Sequence, residues 1–146
     1  ITGTFMMCFQ EYMKRSGSVL VNTHQLSLDN VWVNDMYAGE YNPAHFHSSK
    51  NSLVGLSSVL FLKVPDTYGE EYTNNHEPAN GHLEFIGGNQ HSLSMSQMRV
   101  SPEVGDFFIF PYTLVHAVYP FRQTEQMRRT LSYNCDILPK VLVKPV

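Results

Sequence analysis

Gly39-Glu40-Tyr41-Asn42-Pro43-Ala44-His45-Phe46-His47 is the stretch from which the rest of the 146-residue chain is best read. In an extended segment, residues two apart project from the same face. His45 and His47 can therefore approach one divalent metal from one side, each at ~2.0–2.1 Å. An H-x-H pair also arises by chance, and a histidine among apolar residues is more often a hydrogen-bonded core residue than a ligand. A third donor from a distant strand would separate the two cases. His116, in Tyr112-Thr113-Leu114-Val115-His116-Ala117-Val118, has apolar neighbours on a predicted strand and is the candidate for that donor. Three histidines would complete one face of the metal and leave positions open for substrate and oxygen.

Outward from this stretch the chain reads as strands. Val31 to Tyr37 is β-rich and stops before Gly39, and Leu53 to Val64 is a longer run closed by Pro65-Asp66. His82–Ile86, Ser94–Val100, Asp106–Phe110, Val115–Phe121 and Arg128–Leu138 are short β-prone segments separated by Pro, Gly and Asn turns. Only the beginning is helical. Between Thr4 and Arg15, Phe5, Cys8, Phe9, Tyr12 and Met13 recur at three- and four-residue steps, and Ser16-Gly17-Ser18 ends the pattern. One helix followed by seven or eight short strands argues for an all-β sandwich or barrel, with an eight-stranded jelly roll, or double-stranded β-helix, carrying metal in its mouth as the natural candidate. The expected organisation is a single domain over residues 1–146, with a helix and lead-in over 1–30 and the β core over 31–138. The chain opens at Ile1, without an initiator methionine and inside a helical pattern, which reads as a truncated N-terminus.

Composition narrows the function classes. Hydrophobic residues make up 42% and charged residues 16%, the profile of a globular domain. A net charge of −3 offers no positive field for nucleic acid or anionic membrane, and no apolar run approaches the ~20 residues that span a bilayer. Two cysteines, Cys8 and Cys135, are too few for a disulfide framework, and the reducing cytoplasm is the default expectation.

The last predicted strand carries chemistry of its own. By alternation Arg128, Thr130 and Ser132 share one face, with Arg129 on the other unless a bulge exchanges the two arginines. A guanidinium fork beside hydroxyls suits a buried carboxylate, whereas Arg128–Arg129 as a solvated surface pair is the plainer alternative.

In order and spacing, these pieces resemble the 2-oxoglutarate- and Fe(II)-dependent oxygenases, in particular the bacterial and phage branch with an N-P-x-H-x-H segment. The resemblance runs from Trp32-Val33-Asn34 through Asn42-Pro43-Ala44-His45-Phe46-His47 and the Leu56–Pro65 strand. It continues with Gly105-Asp106-Phe107-Phe108-Ile109-Phe110-Pro111, His116, and Arg128-Arg129-Thr130-Leu131-Ser132-Tyr133-Asn134. It implies an enzyme in which His45, His47 and His116 hold Fe(II). Arg128 and Thr130 would then anchor the far carboxylate of 2-oxoglutarate, with Ser132 and Asn34 contributing to the cosubstrate site. It also implies hydroxylation of a primary substrate coupled to decarboxylation of 2-oxoglutarate to succinate. The implied partners are the small-molecule cosubstrate and that substrate, whose identity nothing in the sequence selects. The expected assembly is a monomer or homodimer.

One position departs from the family pattern. Most of the superfamily places Asp or Glu two residues after the first histidine, and here that residue is His47. Either the site has three histidines, or His47 steps aside for a water or a carboxylate. Glu84 is the candidate carboxylate, its alternative reading being an exposed strand glutamate. The same residues also resemble cupins: Gly39 and His45-x-His47 fit their first motif, and Gly105, Pro111 and His116 much of the second. Against that reading, Asn51 and Ser52 stand where the cupin glutamate is expected, Thr113 replaces Gly and Pro120 replaces Asn. A non-catalytic ligand-binding jelly roll is the third alternative. Trp32, Tyr37 and Tyr41 are candidates for the pocket wall or simply for the core. The Thr67–Asn80 stretch is a candidate lid, and His24, His76 and His91 are expected to be exposed.

Overall fold

The computed structural model describes residues 2–71, 77–89 and 92–140. Helices α1 (Thr2–Arg15) and α2 (Leu20–Thr23) precede eight strands. These are β1 (His24–Met36), β2 (Asn42–His45), β3 (Gly55–Lys63), β4 (Leu83–Ile86), β5 (Gln97–Val100), β6 (Phe107–Pro111), β7 (Val115–Val118) and β8 (Arg128–Pro139). They form two antiparallel four-stranded sheets, ordered β1-β8-β3-β6 and β2-β7-β4-β5. This interleaving of non-consecutive strands is the jelly roll that the sequence predicts. A core of Phe61, Leu83, Phe85 and Phe110 joins the two sheets.

The helix seals the outer face of the first sheet. Phe5, Phe9 and Met13, four residues apart, are its buried residues, and they pack on Leu56, Tyr133, Cys135 and Ile137. Phe5 stacks on Tyr133 with ring centroids 4.2 Å apart. Cys8 and Tyr12, predicted to share this face, are only half-buried at its margin. The helix stops because Gly17 takes φ +67 and the Ser16 hydroxyl donates to the Met13 carbonyl at 2.8 Å, satisfying an end that Ser and Gly favour. Both cysteines are free thiols. No helix among the described residues is long and apolar enough to cross a membrane.

Several boundaries differ from expectation: β5 begins at Gln97 rather than Ser94, β7 ends at Val118 rather than Phe121, and β1 and β2 differ further. Strand β1 starts at His24, seven residues earlier than predicted. Its Ser, Asp and Asn residues read as a loop, yet Gln25–Leu28 pair with Leu138–Cys135 of β8, and a bulge between Leu28 and Asn30 absorbs the irregularity. Asn42-Pro43, read as a turn, opens strand β2. Pro43 is tolerated there because β2 lies at the edge of its sheet.

Because Phe9 is fully buried at the centre of the helix contact, Phe9→Ala should cost about 3–5 kcal/mol of unfolding free energy. Denaturant titration read by far-UV circular dichroism checks this. A loss below about 1 kcal/mol would mean that α1 is not docked as described.

Candidate active site

Strand pairing brings the histidines together. β2 and β7 are neighbours, and His45 lies directly opposite His116, with ring centroids 4.2 Å apart. His47 lies beyond the end of β2. Its backbone N–H donates to the Tyr112 carbonyl at 2.9 Å, returning its ring to within 5.0 Å of His116 and 5.3 Å of His45. The potential ligand atoms of all three lie within 4.8 Å of one another.

The hydrogen bonds orient the lone pairs. His45 Nδ1 lies 2.7 Å from the Pro43 carbonyl, and His116 Nδ1 lies 3.0 Å from the Leu114 carbonyl. A carbonyl only accepts, so each Nδ1 carries the proton and each Nε2 keeps a lone pair, the arrangement that prepares histidine for a metal. His47 Nε2 is 3.2 Å from His116 Nε2. Two ligands at right angles, each ~2.0–2.1 Å from a shared ion, would be about 3 Å apart. Burial, reinforced by the neighbouring imidazoles His116 and His45, pushes the pKa of His47 down to about 4. Burial likewise lowers that of His116. Neutral imidazoles at neutral pH are what a divalent ion of intermediate softness requires, so the donor set fits Fe(II).

These rings open onto a cavity of about 360 Å³ between the sheets. Cross-strand rows form one wall: Trp32 opposes Ser132, Asn34 opposes Thr130, and Met36 opposes Arg128. Arg128, Thr130 and Ser132 are all buried on this wall, whereas Arg129 faces outward in a two-bond ion pair with Asp35, both contacts 2.7 Å.

Arg128 is only 1% exposed. Its Nη1 donates to the Gly81 carbonyl at 2.8 Å and its Nη2 contacts Met36 Sδ, while the rings of Phe61 and Phe121 each lie 5.9 Å away. Gly81 holds φ +71, and the Tyr68 ring occupies the space a Cβ there would need. Among the described residues no carboxylate is within ion-pair distance of Arg128. Burial without a counterion pushes its pKa down to about 10. A buried cation with only neutral partners is costly unless an anion joins it.

Glu84 is not brought to the histidines. Leu83 and Phe85, on either side of it in β4, face the interior, so alternation turns Glu84 to the other side of the sheet. It is not an exposed strand residue either: it is buried against Arg99 at 3.1 Å and accepts from the Tyr119 hydroxyl at 2.7 Å. Trp32 lines the cavity, but Tyr37 and Tyr41 are exposed and do not. His24 is half-buried at the start of β1 rather than exposed. His76 and His91 lie outside the described residues, as does the middle of the candidate lid, residues 72–76.

Sequence reasoning missed the fastening behind His47. Asp136, 2% exposed, accepts from the Tyr112 hydroxyl at 3.1 Å and from the Ser49 hydroxyl at 2.8 Å. Tyr112 is thus tied to β8, and its carbonyl in turn holds the His47 amide. Continuing the Arg128, Thr130, Ser132 alternation by four residues would have put Asp136 on the inner face.

The family model described as "Putative 2OG-Fe(II) oxygenase" matches residues 30–134. The chain belongs to this 2OG-Fe(II) oxygenase family. Among solved structures it is similar to an oxidoreductase of the 2OG-Fe(II) oxygenase family from Burkholderia pseudomallei, with a TM-score of 0.57 and 15% identity over 88% of this chain and 49% of that one. The chain thus spans about half the length of that structure. An RmlC-like cupin protein from Desulfovibrio desulfuricans aligns with a TM-score of 0.41 and 15% identity, over 77% of this chain and 82% of that one. No curated protein matches the chain.

If the three imidazoles form the metal site, His116→Ala abolishes stoichiometric loading, while Glu84→Gln leaves it unchanged despite some loss of stability. Metal analysis of untagged protein after Fe(II) reconstitution and desalting distinguishes them. Full occupancy in His116→Ala, or none in Glu84→Gln, would contradict the assignment.

Proposed function

We propose that the protein is an Fe(II)- and 2-oxoglutarate-dependent dioxygenase that hydroxylates its primary substrate. The observation that carries this reading is Arg128, buried with no carboxylate partner among the described residues, in the same cavity as three converging imidazoles. A metal-only cupin reaction or a passive ligand-binding jelly roll gives that guanidinium no role. A dicarboxylate bound between the triad and Arg128 does.

In this reading His45, His47 and His116 hold Fe(II), and Arg128 with Thr130 receives the distal carboxylate of 2-oxoglutarate. Bound together, the metal and cosubstrate supply oxygen activation coupled to oxidative decarboxylation to succinate, chemistry that belongs to the cofactor rather than to the chain. The residues of the chain bind, orient and desolvate. Arg128 is already stripped of water, so its hydrogen bonds to a carboxylate form without a further desolvation penalty on the protein side. Its bonds to Gly81 and Met36 fix the plane of the guanidinium, so an arriving carboxylate meets a preset direction. The Thr130 hydroxyl, held only by a long 3.5 Å contact to the Asn34 carbonyl, is free to turn toward the same carboxylate. Asn34 and Ser132 border the rest of the cosubstrate on that wall, and Trp32 and Phe110 flank the histidine end with apolar surface.

Anaerobic titration of the Fe(II)-loaded chain with 2-oxoglutarate should produce the weak visible charge-transfer band of a chelated keto acid. Arg128→Ala should weaken cosubstrate binding about 10- to 100-fold, the range for charge-assisted hydrogen bonds, and leave iron bound; Arg128→Lys should fall between. An unchanged 2-oxoglutarate affinity in both variants would refute the anchor.

A further inference from the structure

All 13 acidic residues of the chain lie among the described residues, and none lines the cavity. The two buried ones are engaged elsewhere. Glu84 pairs with Arg99 on the far side of its sheet, and Asp136 gives both oxygens to the Tyr112 and Ser49 hydroxyls. Among the described residues, what faces the cavity is one guanidinium and three imidazoles beside amides, hydroxyls and apolar side chains.

Charge bookkeeping then has a definite result. A divalent ion on three neutral ligands contributes +2, Arg128 contributes +1, and a dicarboxylate contributes −2. One positive charge is left over, where a site with a carboxylate ligand would be balanced. In a partly enclosed cavity that surplus is screened less than at a surface, so it favours anions and repels cations.

We infer that the primary substrate carries a carboxylate, or a comparable monoanionic group, into this cavity, and that cationic substrates are excluded from it. The inference rests on the oxygenase reading and extends it to a substrate class. Asn42 is the natural probe, because it lines the cavity without belonging to the triad or to the Arg128 wall. Its change to Asp adds one negative charge with almost no change of shape.

The test is calorimetric titration of the full chain, loaded anaerobically with Fe(II) and 2-oxoglutarate, using acetate, chloride and methylammonium at constant ionic strength. Acetate is expected to bind at least about tenfold more tightly than methylammonium. Asn42→Asp should weaken acetate by about tenfold, and Asn42→Ala by less than about threefold. Methylammonium binding as well as acetate, or acetate indifferent to Asn42→Asp, would overturn the inference. Chloride matching acetate and competing with it would assign the charge to a free inorganic ion, and so overturn the substrate-borne carboxylate. Loss of the charge-transfer band in the parent chain marks a different failure, that of the oxygenase reading itself, and takes this inference down with it.

Discussion

Strand β8 is the constraint on which the rest depends. Among the described strands it is the longest that pairs on both sides, with β1 from Met36 to His24 and with β3 from Lys63 to Gly55. Its two faces do different work. Tyr133, Cys135 and Ile137 accept the helix, while Arg128, Thr130, Ser132, Asn134 and Asp136 look inward. A slip of one residue in its register would exchange these faces, burying aromatic surface in the cavity and turning the guanidinium toward α1. Pairing on both sides holds the buried guanidinium of Arg128 in place although no carboxylate among the described residues pairs with it.

The second sheet contributes convergence. Four-residue strands such as β2 and β7 have few ladder bonds of their own, yet they place two histidines directly opposite one another. The third ring reaches the same point from irregular backbone, held by a chain of polar contacts from Asp136 through Tyr112. The site is thus built half by sheet geometry and half by side-chain fastening, and these two halves have different tolerances to change.

The fold was largely legible in the sequence, because alternation and turn residues mark strands independently of tertiary context. The inner face of β8 was legible for the same reason: Arg128 and Arg129 diverge as period two requires. What sequence pattern could not supply was anything decided by pairing partners. The first seven residues of β1 look like a loop until β8 lies beside them. Glu84 looks like a spare carboxylate until Arg99 and Tyr119 are found on its side of the sheet. Tyr112 and Asp136 are 24 residues apart in sequence, and neither carries a motif, so their joint role emerges only in three dimensions.

The Gly81 carbonyl holds one corner of the Arg128 guanidinium, and Gly81 itself is wedged against the Tyr68 ring, with its amide donating to the Pro120 carbonyl. The direction in which Arg128 presents its remaining N–H donors therefore depends on the peptide at Gly81, 47 positions earlier in the chain. A side chain introduced at Gly81 would meet the Tyr68 ring and so act on the guanidinium without touching it.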